Sequence, residues 1–201
     1  MNRHERRRQK KNRLNTAINP DLIEGIKCHT NKNYEKADAL YKKVLLAEPS
    51  NYDAIRHLGI LHQDLKNFEK AYNFFVNAVK INPQGFEAIN NLGTIHLYNK
   101  NYDLALKCFN RSLEINENYI PTINNLAGCY HRIHEPKKAL EFSSKALNLQ
   151  PNNPLTRDQH AKAHIANSRP EEAIEILEKL TLEFPDADNF QIDLSTAYRE
   201  M

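Results

Sequence analysis

Glycine is scarce in this sequence, at five residues in 201. That leaves too little for most phosphate-cradling loops and dinucleotide fingerprints, and none is found. A nucleophile elbow and a Cys–His catalytic pairing are missing too. Cysteine is limited to Cys28, Cys108 and Cys129, odd in number and far apart. Such a set reads as core thiols in a reducing compartment rather than a disulfide framework or a metal site. No apolar run approaches the ~18 residues of a membrane span, and no apolar segment follows the basic start. The cytoplasm is therefore the expected compartment. Strand-like alternation with hairpin turns is also missing, so an all-α fold is expected.

What the chain does have is a period. Pro49, Pro83, Glu117, Pro151 and Pro185 stand 34 residues apart, and each closes a copy of one helix-turn-helix unit. Counting back divides the chain into units 18–51, 52–85, 86–119, 120–153 and 154–187, with a partial unit over 188–201. The eighth place of each unit is small: Gly25, Gly59, Gly93, Ala127, Ala161 and Ser195. The twentieth is always alanine, at Ala37, Ala71, Ala105, Ala139 and Ala173. The twenty-fourth is large at Tyr41, Phe75, Phe109 and Leu177, with Ser143 the exception. Small places let a neighbouring helix approach, and a larger side chain at the alanine place should overpack the contact at ~1–3 kcal/mol. Asn33, Asn67 and Asn101 precede an aromatic and then an acid, the order of an N-cap followed by a negative charge in the first helical turn. Pro136, Pro154 and Pro170 suit first-turn places.

Small, aromatic and proline places recurring in one register identify the chain, over about residues 18–201, as resembling the tetratricopeptide repeat family. The resemblance implies a right-handed superhelix of antiparallel helix pairs, an α-solenoid, with the first helix of each pair lining the inner groove. Tryptophan, common at the family's fourth place, is absent. Ile55, Ile89 and Ile123 stand there, then Arg157 and Gln191, which predicts looser packing toward the C-terminus. Mean hydropathy of −0.72 suits a thin solenoid with much solvated surface.

The segments INNLGTIH (89–96) and INNLAGCY (123–130) put Asn90, Asn91, Asn124 and Asn125 on or near the groove. Asn91 and Asn125 share the sixth place with His57, Gln159 and Asp193. Asparagine there in successive repeats resembles the ladder of protein O-GlcNAc transferases, which implies an extended peptide along the groove. A carboxamide both donates and accepts, so it can pair with a peptide backbone whatever its side chains. Candidate contacts are His57, Asn90, Asn91, Asn124, Asn125, Tyr98, Arg132 and Gln159, with His131 and Asp64 on the groove wall. The alternative is that these amides solvate the groove or bond to the adjacent repeat. A carboxylate clamp, known elsewhere in the family, needs asparagine where the chain has Ile60 and cations where it has Pro121 and Asn125, and is rejected.

His160 and His164 have the spacing of two zinc ligands, but HAKAH lacks a metalloprotease glutamate and a third ligand. His62, His96 and His164 share the eleventh place, where a ring packed between helices explains all three. Neither a metal nor any other cofactor is expected. Seven cations against Glu5 give residues 1–13 a net of +6, so with the whole chain at +3 the remainder sums to −3. Residues 1–17 read as a basic, disordered tail. An acidic array and a tail without aromatics argue against nucleic acid as a partner.

The expected function is that of a scaffold or adaptor binding a protein or peptide, non-catalytic in this segment and with no small-molecule substrate. The alternative is an N-terminal substrate-recognition arm of a bacterial glycosyltransferase or sulfotransferase. The last helix reads as a cap or as the opening of a further repeat in a longer polypeptide; the partial sixth repeat leans toward the latter.

Overall fold

The structure, a computed structural model, describes residues 19–201, so the expected tail over residues 1–17 lies outside it. Eleven helices and no strand occur among the described residues. They are α1 (Pro20–Thr30), α2 (Tyr34–Ala47), α3 (Tyr52–Asp64), α4 (Phe68–Ile81), α5 (Phe86–Tyr98) and α6 (Tyr102–Ile115), followed by α7 (Ile120–Arg132), α8 (Pro136–Leu149), α9 (Pro154–Ala166), α10 (Pro170–Glu183) and α11 (Asp188–Glu200). From α2 onward, every second helix begins 34 residues after the last. The fold is all-α, built of helix hairpins.

Each hairpin turns in three residues, and the middle one is left-handed: Lys32, Lys66, Lys100, His134 and Ser168, with φ between 57° and 60°. Two backbone bonds close each turn. In the second hairpin the Lys66 N–H donates to the Gln63 carbonyl at 2.9 Å and the Asn67 N–H to the His62 carbonyl at 2.8 Å. That pattern ends a helix by satisfying its last carbonyls, and glycine usually supplies the left-handed residue. Here none does.

Helix starts follow the expected chemistry in part. Asn33 and Asn67 accept from the backbone N–H of Lys36 and Lys70 at 3.3 and 3.4 Å. Asn101 makes no side-chain capping bond, contrary to the expectation. Pro136, Pro154 and Pro170 each open a helix, where a missing N–H costs nothing.

Packing divides the chain into two compact units, α1–α4 up to Pro83 and α5–α11 from Gln84. In the first, Leu22, Ala37, Tyr41, Val44, Leu58 and Leu61 form the core. The second holds one cluster of Ala105, Phe109, Leu126 and Cys129 and another of Ala161, Ala173, Leu177, Leu180, Phe190 and Ala197. A fully buried ring such as Phe109 contributes about 2–3 kcal/mol.

The small and large places fit into one another. A Cβ on Gly25, Gly59 or Gly93 would lie 2.7, 2.4 or 2.6 Å from a ring carbon of Tyr41, Phe75 or Phe109. Each ring thus occupies the space that its glycine leaves. In the next hairpin the eighth place is Ala127 and the twenty-fourth the small Ser143, and both are buried. The fourth place changes toward the C-terminus as expected from its polarity. Ile55, Ile89 and Ile123 are buried, whereas Arg157 pairs with Glu183 at 2.7 Å and Gln191 donates to the Pro185 carbonyl at 3.0 Å. All three cysteines are free thiols. Burial pushes those of Cys108 and Cys129 up. No described helix is long and apolar enough to cross a membrane.

Candidate functional site

The asparagine pairs lie one turn into α5 and α7, and the structure gives their members different work. Asn90 is buried, 3% exposed. Its Oδ1 receives Nδ2 of Asn125 at 2.9 Å and the Thr122 hydroxyl at 3.0 Å. The Ser112 hydroxyl lies 2.8 Å from that of Thr122 and 3.0 Å from the Phe86 carbonyl, its single proton serving one of them. This buried clasp ties α5, α6 and α7 together. Sequence reasoning placed Asn90 on the groove and missed Thr122; the signal was the threonine 34 residues on, Thr156, in the same place.

Asn91 and Asn124 keep partial exposure. The Asn91 side-chain oxygen accepts a long bond, 3.4 Å, from Asn90 Nδ2. Asn124 Oδ1 and Thr156 Oγ1 are enclosed without hydrogen-bond partners among the described residues. They occupy the same places, one repeat on, as the bonded Asn90 and Thr122. An acceptor left unpaired in this way costs about 1–3 kcal/mol.

Further along the same register, carboxylates replace the amides. Asp158 is buried, and its Oδ2 accepts from Lys162 Nζ at 2.7 Å. Lys162 also reaches Asp193 at 3.0 Å. Burial pushes the Asp158 carboxyl up, opposed by the lysine. Burial also works against the Lys162 charge, but its bonds to the two carboxylates more than offset that and raise it. Half-buried Gln159 lies on the same helix, directly after Asp158.

Tyr98 and Arg132, both exposed, close the C-terminal ends of α5 and α7. The structure brings them together, with Thr94, Leu97 and Lys100, around an open hollow of about 400 Å³. His131 is exposed beside Arg132.

His57 belongs to the first unit. Its ring stacks on Tyr41 at 5.5 Å, and Arg56 Nη2 lies 3.2 Å from its Nε2. Burial, helped by the Arg56 guanidinium, lowers it to about 4, so the ring is neutral at pH 7 and Arg56 donates to it. Tyr41 itself is pushed up to about 12 by burial. Asp64 is engaged by His29 at 2.9 Å.

The two histidines with zinc-ligand spacing lie against each other. His160 and His164 meet Nε2 to Nε2 at 3.1 Å, and His160 Nδ1 lies 3.0 Å from the Ser143 hydroxyl. Burial lowers His160 to about 4 and lowers His164 as well. Among the described residues no group of three or more His, Cys, Asp or Glu could hold a metal. His62 stacks flat on Phe74 at 5.4 Å, the packed ring that its place suggests.

Two family models described as tetratricopeptide repeats match the chain, one over residues 86–152 and one over 54–84. Over these residues the chain is built of tetratricopeptide repeats. Among solved structures it is similar to a thermophilic repeat protein of Thermus thermophilus, at 20% identity and a TM-score of 0.75, covering 89% of this chain and 97% of that one. YrrB, described as having an unusual peptide-binding site, is similar at 20% identity and a TM-score of 0.61, covering 91% and 95%. The Cut9–Hcn1 complex of the APC/C contains a chain similar at 17% identity and a TM-score of 0.82, covering 88% of this chain but 35% of that one. At these identities the likeness is one of fold. No curated protein matches the chain. Repeat solenoids present extended surfaces to other proteins, and this fold is that of an interaction scaffold.

Proposed function

We propose that this repeat protein binds an extended peptide or a helix on the face formed by α5, α7 and α9, and is non-catalytic by itself. The chain divides into five repeats, 18–51, 52–85, 86–119, 120–153 and 154–187, with 188–201 as a sixth first helix or a cap. One observation carries the reading. Asn90 and the Asn125 amide nitrogen are taken up in the clasp, whereas Asn91 and Asn124 stay partly exposed with their amide nitrogens outside it, on the two helices that end in the exposed Tyr98 and Arg132. Amides held on rigid helices, with an aromatic and a cation nearby, suit a backbone that must be gripped irrespective of its side chains. Gln159 extends this face. His57 would contact a ligand only in the first unit, through the edge its stacking leaves open. That YrrB is described as peptide-binding agrees with the reading. The free thiols suit a cytoplasmic setting.

The alternative, substrate selection for an attached transferase, drew on the asparagine ladder. The Asn90–Asn125 bond weakens it, because that rung holds helices together instead of facing a ligand.

Selection of random dodecapeptides on the immobilised protein tests the proposal. Enriched peptides should bind the Asn91→Ala/Asn124→Ala variant about 10–100-fold more weakly, the effect of two lost hydrogen bonds. Helicity and melting should stay nearly unchanged. Enriched peptides that bind the variant as well as the parent would contradict it.

A further inference from the structure

Amides cannot account for the hollow at the ends of α5 and α7. Tyr98 is 62% exposed there, an unusual position for so large a ring. The walls contain two cations, Lys100 and Arg132, and no acid. Neither cation joins an ion pair or a side-chain hydrogen bond among the described residues, unlike Arg157 and Lys162, which are held by carboxylates; Lys107, Lys137, Arg169 and Lys179 of the same unit share that freedom but do not line the hollow. Lys100 is also the left-handed residue of the turn between α5 and α6. It lines a second hollow of about 500 Å³, with Leu104 (44% exposed) and Ile133 on its walls. That second hollow also contains Asp103, which would repel an anion. One space therefore favours negative charge, and its neighbour favours an apolar group and disfavours negative charge.

We infer that this pair of hollows seats an acidic side chain of the bound peptide between Lys100 and Arg132, with a large apolar side chain of the same peptide over Leu104 and Ile133. The partner is thus a protein segment in which an acid stands beside a bulky apolar residue. A guanidinium offers a carboxylate two parallel donors, and the lysine adds a point charge from the other wall. The Tyr98 ring covers the aliphatic part of the acid. The seat differs from the clamp rejected above, because its cations stand at the end of one first helix and in the turn after another. This inference rests on the peptide-binding reading.

Fluorescence anisotropy on the full chain tests it with two labelled octapeptides, Gly-Ser-Glu-Leu-Glu-Leu-Ser-Gly and the same peptide with lysine for glutamate. The acidic peptide should bind at least about tenfold more tightly, the scale of one charge-assisted pair. Arg132→Glu and, separately, Lys100→Ala should remove that preference, and Arg132→Glu should reverse it. Arg132→Gln, which keeps the length of the side chain, is the second variant, and circular dichroism confirms that each is folded. Equal binding of the two peptides, or a preference surviving in Arg132→Glu and Arg132→Gln, overturns the inference. If the peptides bind equally and both weaken in Asn91→Ala/Asn124→Ala, the groove reading stands without the seat. If neither binds, the seat is overturned, and the groove reading is judged by the peptide selection alone.

Discussion

A methyl group added at Gly59 would lie 2.4 Å from Cε1 of Phe75, a ring with no exposure at all. The ring cannot swing out, so the backbone must give, at about 1–3 kcal/mol, against a gain of about 1 kcal/mol in helix propensity. Gly59→Ala should therefore lower the thermal midpoint. Gly128 is the contrast, because its nearest neighbour would be Gln159 Oε1 at 4.0 Å. Gly128→Ala should raise stability by about 0.5–1 kcal/mol in denaturant unfolding. The eighth and twenty-fourth places were legible in the sequence as small and large, and the structure shows why glycine stands where the partner is an aromatic ring, at Gly25, Gly59 and Gly93. The fate of Asn90 was not legible. Four adjacent amides look alike in sequence, and burial was decided by Thr122 and Ser112 from other helices.

His57 makes a prediction at the same scale. Its folded value of about 4 lies below the ordinary 6.5, so the unfolded chain takes up a proton that the folded chain refuses. The stability it contributes is complete above pH 6.5 and is lost as the pH falls from 6.5 toward 4. His160, also lowered to about 4, adds to the same loss. His57→Gln keeps an acceptor for Arg56 and removes the titration. Urea midpoints measured from about pH 7.5 to about 4.5 should fall less steeply in this variant than in the parent; parallel curves would show that His57 contributes nothing.

At the scale of the element, the five hairpin turns carry the least predictable feature of the chain. Helix starts were partly legible through asparagine and proline, because those side chains act locally. The left-handed turn residues were not, because Lys32, Lys66, Lys100, His134 and Ser168 stand where glycine would have announced the geometry. Tertiary pairing of the flanking helices imposes that conformation on residues that disfavour it by about 1 kcal/mol. Lys66→Gly should then stabilise the first unit by up to about 1 kcal/mol, less whatever glycine gains in the unfolded chain. A lowered melting temperature in this variant would show that the Lys66 side chain supports the turn.

At the scale of the whole molecule, the repeat period made the succession of helix hairpins legible, because the same few places recur in each. The binding face was legible only as a set of polar places. Which amides are free depends on contacts between successive repeats, and the period alone does not distinguish them. Charge shows the same limit: the sums per segment were plain, but not that Lys100 and Arg132 converge on one hollow while Lys162 is held between two carboxylates.

The central claim is that the face of α5, α7 and α9 takes a peptide. Chemical-shift mapping on the isotopically labelled full chain, titrated with a peptide enriched by display, tests it most directly. The account predicts the largest backbone and side-chain amide shifts at Asn91, Tyr98, Asn124, Arg132 and Gln159, with little change on α6, α8 and α10. Shifts concentrated on those second helices, with Asn91 and Asn124 unmoved, would contradict it.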